Sequence, residues 1–289
     1  MKTIGSISPN TRFCAVIGNP VAHSLSPAIH NAAIEELGLD FVYLACRVED
    51  VGGALAGMRA LGNFRGMSVT IPHKVEIMKY IDEIDEVDRS IGSINTIIKE
   101  NGKLKGFGTD GPGAMKALTD AGVDLTGKRV LMLGSGGAAR AIAFTLARNP
   151  GLGELLILDI NETMLKELAE DLARGTRARI QSGRLAEKTL GEAMARSDLL
   201  IHCTPIGMHP REGVSLVPPE LFRPGQVVFD IVYTPLETRL LADAKSRGLR
   251  VVSGVEMFIN QAVLQFERFT GEKAPVEVMR RVVMERLRK

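Results

Sequence analysis

Short apolar runs alternate with helix-length amphipathic runs along almost the whole chain. Arg12-Phe13-Cys14-Ala15-Val16-Ile17 reads as a buried strand ending at Gly18. Pro27 then opens a helix that Ser26 caps, with Ile29, Ala32, Ala33 and Leu37 on one face and Gly38 at its end. Phe41–Cys46 predicts a second strand, Val51–Leu61 a second helix stopped by Gly62, and Met67–Ile71 a third strand broken by Pro72. Ser93–Lys99 and Lys103–Phe107 flank Asn101-Gly102, a two-residue turn of the hairpin type. These elements predict a mixed sheet with helices. From Gly127 the pattern is cleaner, with predicted strands at Arg129–Leu133, Leu155–Leu158, Ala178–Gln181, Asp198–His202 and Val227–Asp230. The intervening helices include Gly137–Arg148 and one running through Leu172. Fully apolar strands alternating with amphipathic helices imply a parallel sheet covered on both faces. Glu256–Phe269 and Pro275–Arg288 are consecutive helices with no strand between them, and we expect them to pack back on the first domain.

Composition narrows the class. The chain has 289 residues, a soft prior for two domains, and is 45% hydrophobic and 24% charged, ordinary values for a globular protein with large cores. No apolar run approaches the ~18–20 residues of a membrane span, and the opening MKTIGSISPNTR has no leader-like apolar stretch. A formal net charge of +2 gives no support to a nucleic-acid or membrane partner. Cys14, Cys46 and Cys203 lie far apart with no CxxC pair, which argues against a disulfide framework and a metal site and suits a reduced, cytoplasmic setting.

The first chemical signal is Leu133-Gly134-Ser135-Gly136-Gly137-Ala138-Ala139, a G-x-G-x-x-A turn after a strand and before a helix. Gly134 permits the tight turn, Gly136 lets backbone approach a pyrophosphate, and Ala139 lets helix pack close to strand. The helix start offers free N–H groups and positive dipole to phosphates. Asp159 ends the next strand, where a carboxylate accepts from the ribose hydroxyls of NAD and repels the 2′-phosphate of NADP. No Arg or Lys occurs at residues 160–165, though Arg140 could partly substitute. The expectation is therefore a Rossmann domain that favours NAD, with NADP as the alternative.

A second signal lies in the first domain. Gly18-Asn19-Pro20-Val21-Ala22-His23-Ser24-Leu25-Ser26-Pro27 sets two hydroxyls between a strand end and a helix start. Ser68-Val69-Thr70-Ile71-Pro72-His73-Lys74 puts hydroxyls and an ammonium at another strand end, and Ser93-Ile94-Asn95-Thr96 and Gly108-Thr109-Asp110-Gly111 add an amide and a carboxylate. Hydroxyls and amides with few charges suit a polyhydroxylated, non-phosphorylated substrate. Taken singly, Ser26 also reads as an N-cap, Asn95 as a turn former and Lys74 as a surface charge.

Together these stretches resemble the shikimate dehydrogenase family along essentially the whole chain. The likeness extends to Thr204-Pro205-Ile206-Gly207-Met208, Asp230-Ile231-Val232-Tyr233-Thr234-Pro235 and the 254–262 segment. It implies NAD(P)-linked interconversion of 3-dehydroshikimate and shikimate in aromatic amino acid biosynthesis. It also implies a substrate domain at 1–108 completed by helices at 255–289, and a dinucleotide domain at 109–254. Carried over by position, it implies Lys74 and Asp110 as the catalytic pair, with Ser24, Ser26, Thr70, Asn95, Tyr233 and Gln261 as substrate ligands. Cofactor contacts would fall on Gly134, Ser135, Gly136, Gly137, Ala138, Asp159, Thr204 and Gly254, with no metal, in a monomer or homodimer. Reducing a ketone needs a hydride from the nicotinamide and a proton for the developing alkoxide, which Lys74 could deliver.

Four positions depart from the family pattern. Ser68 and Gly108 stand where Asn is frequent, Ile160 where NADP users carry Arg, and His202 where Asn often precedes the TP motif. His202 is read as structural. A quinate or dual-substrate dehydrogenase is the alternative, and intact Ser26 favours shikimate. A non-catalytic cofactor sensor would have lost Lys74 or Asp110. A tetrahydrofolate-linked dehydrogenase of similar architecture fits the hydroxyl-rich first domain poorly.

Overall fold

The computed structural model describes residues 7–209 and 211–288; residues 1–6, half of the stretch read above for a leader, lie outside them. The chain forms two compact units, one built by the residues up to Thr109 together with those from Gln261 onward, the other by Asp110–Asn260. The second division falls inside a helix, α9 (Gly254–Thr270), six residues beyond the break expected from sequence.

In the first unit, β1 (Arg12–Gly18), β2 (Phe41–Arg47), β3 (Phe64–Val69), β4 (Glu83–Ile84), β5 (Thr96–Glu100) and β6 (Lys103–Phe107) form one sheet in the order β2-β1-β3-β5-β6-β4. β1 runs parallel to β2 and β3, while the β5–β6 hairpin is antiparallel and pairs antiparallel with β3. The hairpin turn is the expected one, with Asn101 at φ 52° and Gly102 at φ 77°. α1 (Ser26–Glu36) and α2 (Val51–Ala60) cross over between the parallel strands, and Ala15, Ile17, Leu55, Met67 and Ile97 are fully or almost fully buried in the core. Edge strand β2 is shielded at its centre: Asn31 of α1 donates to the Tyr43 carbonyl and accepts from the Tyr43 N–H, each at 2.8 Å. This side chain satisfies backbone groups that would otherwise offer a pairing template. α10 (Val276–Leu287) lies against α1, and the chain from Gln261 onward groups with the first unit.

Ser26 is already inside α1 and does not cap it. Because Pro27 carries no N–H, the amide of Ser26 is the one needing an acceptor, and it donates to the Ser24 hydroxyl at 3.3 Å.

In the second unit, β7 (Arg129–Leu133), β8 (Glu154–Asp159), β9 (Ile180–Arg184), β10 (Leu199–His202), β11 (Val227–Asp230) and β12 (Arg250–Ser253) form an all-parallel sheet in the order β12-β11-β10-β7-β8-β9. Counted from β7, this is the doubly wound order 3-2-1-4-5-6, with the reversal between β7 and β10. α5 (Gly137–Ala147), α6 (Glu162–Gly175), α7 (Glu187–Met194) and α8 (Arg239–Ser246) alternate with the strands. β9 starts two residues later than expected because it is a half-exposed edge strand, where apolar signal is weak. β12 escaped the sequence reading for the same reason.

A histidine is sealed in the first unit without a hydrogen-bond partner. His30 is 1% exposed, neither ring nitrogen is bonded, and its ring stacks on Tyr43 at 4.3 Å and 5° with Phe266 and Phe269 around it. Burial pushes its pKa from 6.5 down to about 3. Between those values the unfolded chain binds the proton and the folded one does not, so stability is complete above pH 6.5 and falls as the pH drops toward 3. His30→Phe keeps the stack and removes this penalty. Its Tm should decline less steeply than that of the parent protein between about pH 6.5 and 4; parallel Tm–pH curves would refute this.

Candidate active site

Strand polarity brings the polar loops of the first unit to one end of its sheet. β1 and β3 are parallel, so Ser24 and Ser26 after the first and Thr70 and Lys74 after the second leave the sheet on the same side. β5 is antiparallel to β3, so Asn95, just before it, arrives there too; its carbonyl accepts from Val69 N–H at 2.8 Å. Gly18 makes the approach possible, since a Cβ there would lie 2.4 Å from the Thr70 methyl. The loop carrying half-buried Lys74 is fastened twice: His73 Nε2 donates to the Val48 carbonyl at 2.8 Å, and the Lys74 carbonyl accepts from Ile94 N–H at 3.0 Å.

Behind these groups runs a buried chain of hydrogen bonds. The Tyr43 hydroxyl donates to Ser68 Oγ at 2.6 Å, and Ser68 donates to Gln265 Oε1 at 2.7 Å. Gln265 Nε2 in turn donates to the Asn95 carbonyl at 3.1 Å and to Thr96 Oγ1 at 3.0 Å. Ser68 therefore serves the chain of supports. Asn95 holds the residue before Asp110: its Oδ1 accepts from Thr109 N–H at 2.8 Å, and its Nδ2 donates to Thr109 Oγ1 at 3.0 Å. Gly108 makes sense in the same setting, since its N–H donates to buried Asp88 at 3.0 Å and a Cβ would lie 2.6 Å from that carboxylate. Sequence reasoning named Gln261, a buried residue of α9, and missed Gln265 one helical turn later. The i, i+4 spacing of the two amides on one helix was the available signal.

The second unit carries the dinucleotide elements. Gly134 sits at φ 109°, and a Cβ there would lie 2.9 Å from the Cys203 carbonyl and 3.2 Å from the Thr204 methyl, so the turn after β7 is pressed against the end of β10. Around a Cβ at Gly136 there is open space within 4 Å, and α5 starts at Gly137 with no side-chain cap. Ala139 is 0% exposed, as close helix–strand packing requires. A helix start without a side-chain cap, at the strand reversal and beside a glycine with room around its Cβ position, fits the pyrophosphate of a dinucleotide. Ser135 and Ala138 lie in the same turn. Gly254 opens α9 where a Cβ would come within 2.4 Å of the Val232 carbonyl, a close backbone approach. Asp110 is buried in the first turn of α4 (Asp110–Asp120), and half-buried Tyr233 stacks on Phe258 at 4.4 Å. Among the described residues no group of three or more His, Cys, Asp and Glu could hold a metal ion, and no helix is long and apolar enough to cross a membrane.

Asp159 is where the structure departs most from expectation. Its Oδ2 accepts from the Ser135 hydroxyl at 2.6 Å and its Oδ1 from Asn161 N–H at 2.9 Å. The carboxylate bridges the glycine turn to the start of α6, a structural use that the sequence reading did not include. The Arg140 guanidinium pairs with Asp171, which Arg174 also binds.

A family model for the shikimate dehydrogenase substrate binding domain matches residues 16–97, and one for the shikimate 5′-dehydrogenase C-terminal domain matches residues 254–284. The chain is 45% identical over 281 residues to a shikimate dehydrogenase (NADP(+)) of Moorella thermoacetica, covering 96% of this chain and 95% of that one. A Listeria monocytogenes shikimate 5-dehydrogenase solved with shikimate and NAD has a TM-score of 0.88 at 35% identity, covering 96% and 98% of the two chains. A shikimate dehydrogenase solved with NADP+ has a TM-score of 0.89 at 37% identity, covering 98% of each. The expected preference for NAD is overturned: curated relatives are named for NADP+, a neighbour holds NADP+, and the acid on which the preference rested is engaged within the turn. By its sequence and by its fold, the chain belongs to the shikimate dehydrogenase family.

Proposed function

We propose that the protein is a shikimate dehydrogenase that reversibly reduces 3-dehydroshikimate to shikimate with NADPH. The observation that carries this reading is the gathering of Ser24, Ser26, Thr70, Lys74 and Asn95 at one end of the first sheet. Hydroxyls and amides with one ammonium match a substrate of several hydroxyls and one carboxylate. Ser24 and Ser26 would take the carboxylate, and Thr70, Asn95, Gln261 and Tyr233 the ring hydroxyls. The bound nicotinamide supplies the hydride. Lys74 would deliver the proton to the developing alkoxide and, while charged, stabilise it, with Asp110 as the second member of the catalytic pair that the family resemblance implies. Gly134, Ser135, Gly136, Gly137 and Ala138 would form the pyrophosphate turn, with Asp159, Thr204 and Gly254 around it. No observation favours quinate. The three free, scattered cysteines support a cytoplasmic enzyme, and a monomer or homodimer is the assembly that the family resemblance implies.

Shikimate oxidation, followed by the absorbance of the reduced cofactor, should give a higher kcat/KM with NADP+ than with NAD+. Absence of turnover with either would remove the assignment, and turnover confined to quinate would replace it. Lys74→Ala should lower kcat by at least ~100-fold with a much smaller change in shikimate KM. An unchanged kcat would take Lys74 out of the proton step. Gln265→Leu leaves the Thr96 and Ser68 hydroxyls short of a partner and should cost about 1–3 kcal/mol of stability. It should also raise shikimate KM while leaving the KM for NADP+ unchanged, and equal rises in both constants would count against a supporting role confined to the substrate loops.

A further inference from the structure

At the strand reversal of the parallel sheet, three side chains form a buried relay that packing alone does not require. His202, 2% exposed, ends β10, and Asp230, 0% exposed, ends neighbouring β11. The imidazole Nδ1 lies 2.9 Å from Asp230 Oδ1, and its Nε2 lies 2.6 Å from the Thr204 hydroxyl. Asp230 also accepts from Val232 N–H at 3.0 Å and from the Thr238 hydroxyl at 2.6 Å. A carboxylate offers only acceptors, so the hydrogen of this pair sits on Nδ1 and points at Asp230. With the ring in its Nδ1-protonated neutral form, Nε2 turns its lone pair toward Thr204 and the hydroxyl proton of Thr204 is committed to it. One oxygen lone pair of Thr204 receives the Ile206 N–H at 3.3 Å, which leaves the other for a ligand.

The position of Thr204 says which ligand group meets it. Its methyl is 3.2 Å from where a Cβ of Gly134 would stand, so it borders the pyrophosphate turn on the β10 side. In a doubly wound sheet the two halves each hold one mononucleotide, and Asp159 at the end of β8 marks the adenosine half. Thr204 therefore faces the nicotinamide half. A hydroxyl whose proton is already committed cannot donate to a phosphate or a carbonyl. It can accept from a ribose hydroxyl or from the carboxamide N–H of the nicotinamide half.

We propose that His202, oriented by Asp230, is a positioning residue of the dinucleotide site: it holds the Thr204 hydroxyl as an acceptor for a hydrogen-bond donor on the nicotinamide half of the cofactor. The inference rests on the dinucleotide reading above and assigns a role to a residue whose pattern in sequence suggested only structure.

The test measures binding in the full-length protein. Dissociation constants are obtained from NADPH fluorescence and, by displacement, for adenosine 2′,5′-bisphosphate, which lacks the nicotinamide half. Thr204→Val and His202→Phe should each weaken NADPH about five- to tenfold, the loss of one hydrogen bond, and leave the bisphosphate constant unchanged. Thr204→Ser should restore NADPH binding. In 15N spectra of the protein, the His202 ring, assigned by its loss in His202→Phe, should be the Nδ1-protonated neutral form. Deamido-NADPH, with a carboxylate for the carboxamide, separates the two donors. If the carboxamide is the partner, the analogue binds weakly and Thr204→Val costs it nothing; if a ribose hydroxyl is, the analogue suffers the same loss as NADPH. An Nε2-protonated ring, unchanged NADPH affinity in Thr204→Val, or equal weakening of the bisphosphate would each overturn the proposal. Binding of NADH but not NADPH by the unsubstituted protein would instead overturn the cofactor assignment, and the same comparison with NADH and ADP would still decide the role of His202.

Discussion

The amide of Gln265 is the fastening on which the first unit depends. It joins Ser68 on β3 to the Asn95 carbonyl and Thr96 at the start of β5, across sequence separations of 197 and about 170 residues. A buried amide without partners would cost about 1–3 kcal/mol, so the helix that carries it has one favourable register on the sheet. Gln265 thus specifies where the last part of the chain returns to the first. Through Asn95, whose side chain grips Thr109, the same fastening reaches the residue immediately before Asp110.

The second unit is organised by contact rather than by polar partners. The turn after β7 presses its backbone against Cys203 at the end of β10, and at Gly134 both the positive φ and the lack of room exclude a side chain. Close approach there opens space at Gly136 and leaves the start of α5 uncapped, which is the condition for receiving a phosphate at a helix end. The polar terminus of β10 beside that turn is buried with its hydrogen bonds satisfied in the His202–Asp230–Thr238 network. Packing and hydrogen bonding are therefore coupled at the reversal, and a side chain added at Gly134 would disturb both.

Much of this was legible in the residues. The strand–glycine–helix signature and its parallel sheet, the Asn101-Gly102 hairpin and the loops holding Ser24, Ser26, Thr70, Lys74 and Asn95 all stand where pattern put them. What was misread shares one cause. Ser26 was taken as a cap but lies inside α1, its own N–H donating to Ser24, and Asp159 was taken only as a ribose acceptor although it also accepts from Ser135 and Asn161. Likewise Arg140 was considered for a phosphate and is paired with Asp171. In each case the residue type was judged correctly as polar and capable, and the structure shows a protein partner that the local pattern did not.

The sequence by itself determined the order and polarity of the elements, because apolar periodicity, turn glycines and helix stops act over a few neighbouring residues. It also determined the kind of chemistry available, since hydroxyls, amides and one lysine cluster in the loops that follow strands. Only the tertiary structure decided which polar groups are spent on one another. The partners of Asp159, Ser68, Asn95 and His202 lie between 14 and 197 residues away, except for the Thr204, Asn161 and Thr96 contacts made between near neighbours. A hydrogen bond requires a distance near 3 Å and a direction, and neither exists until the sheets have formed.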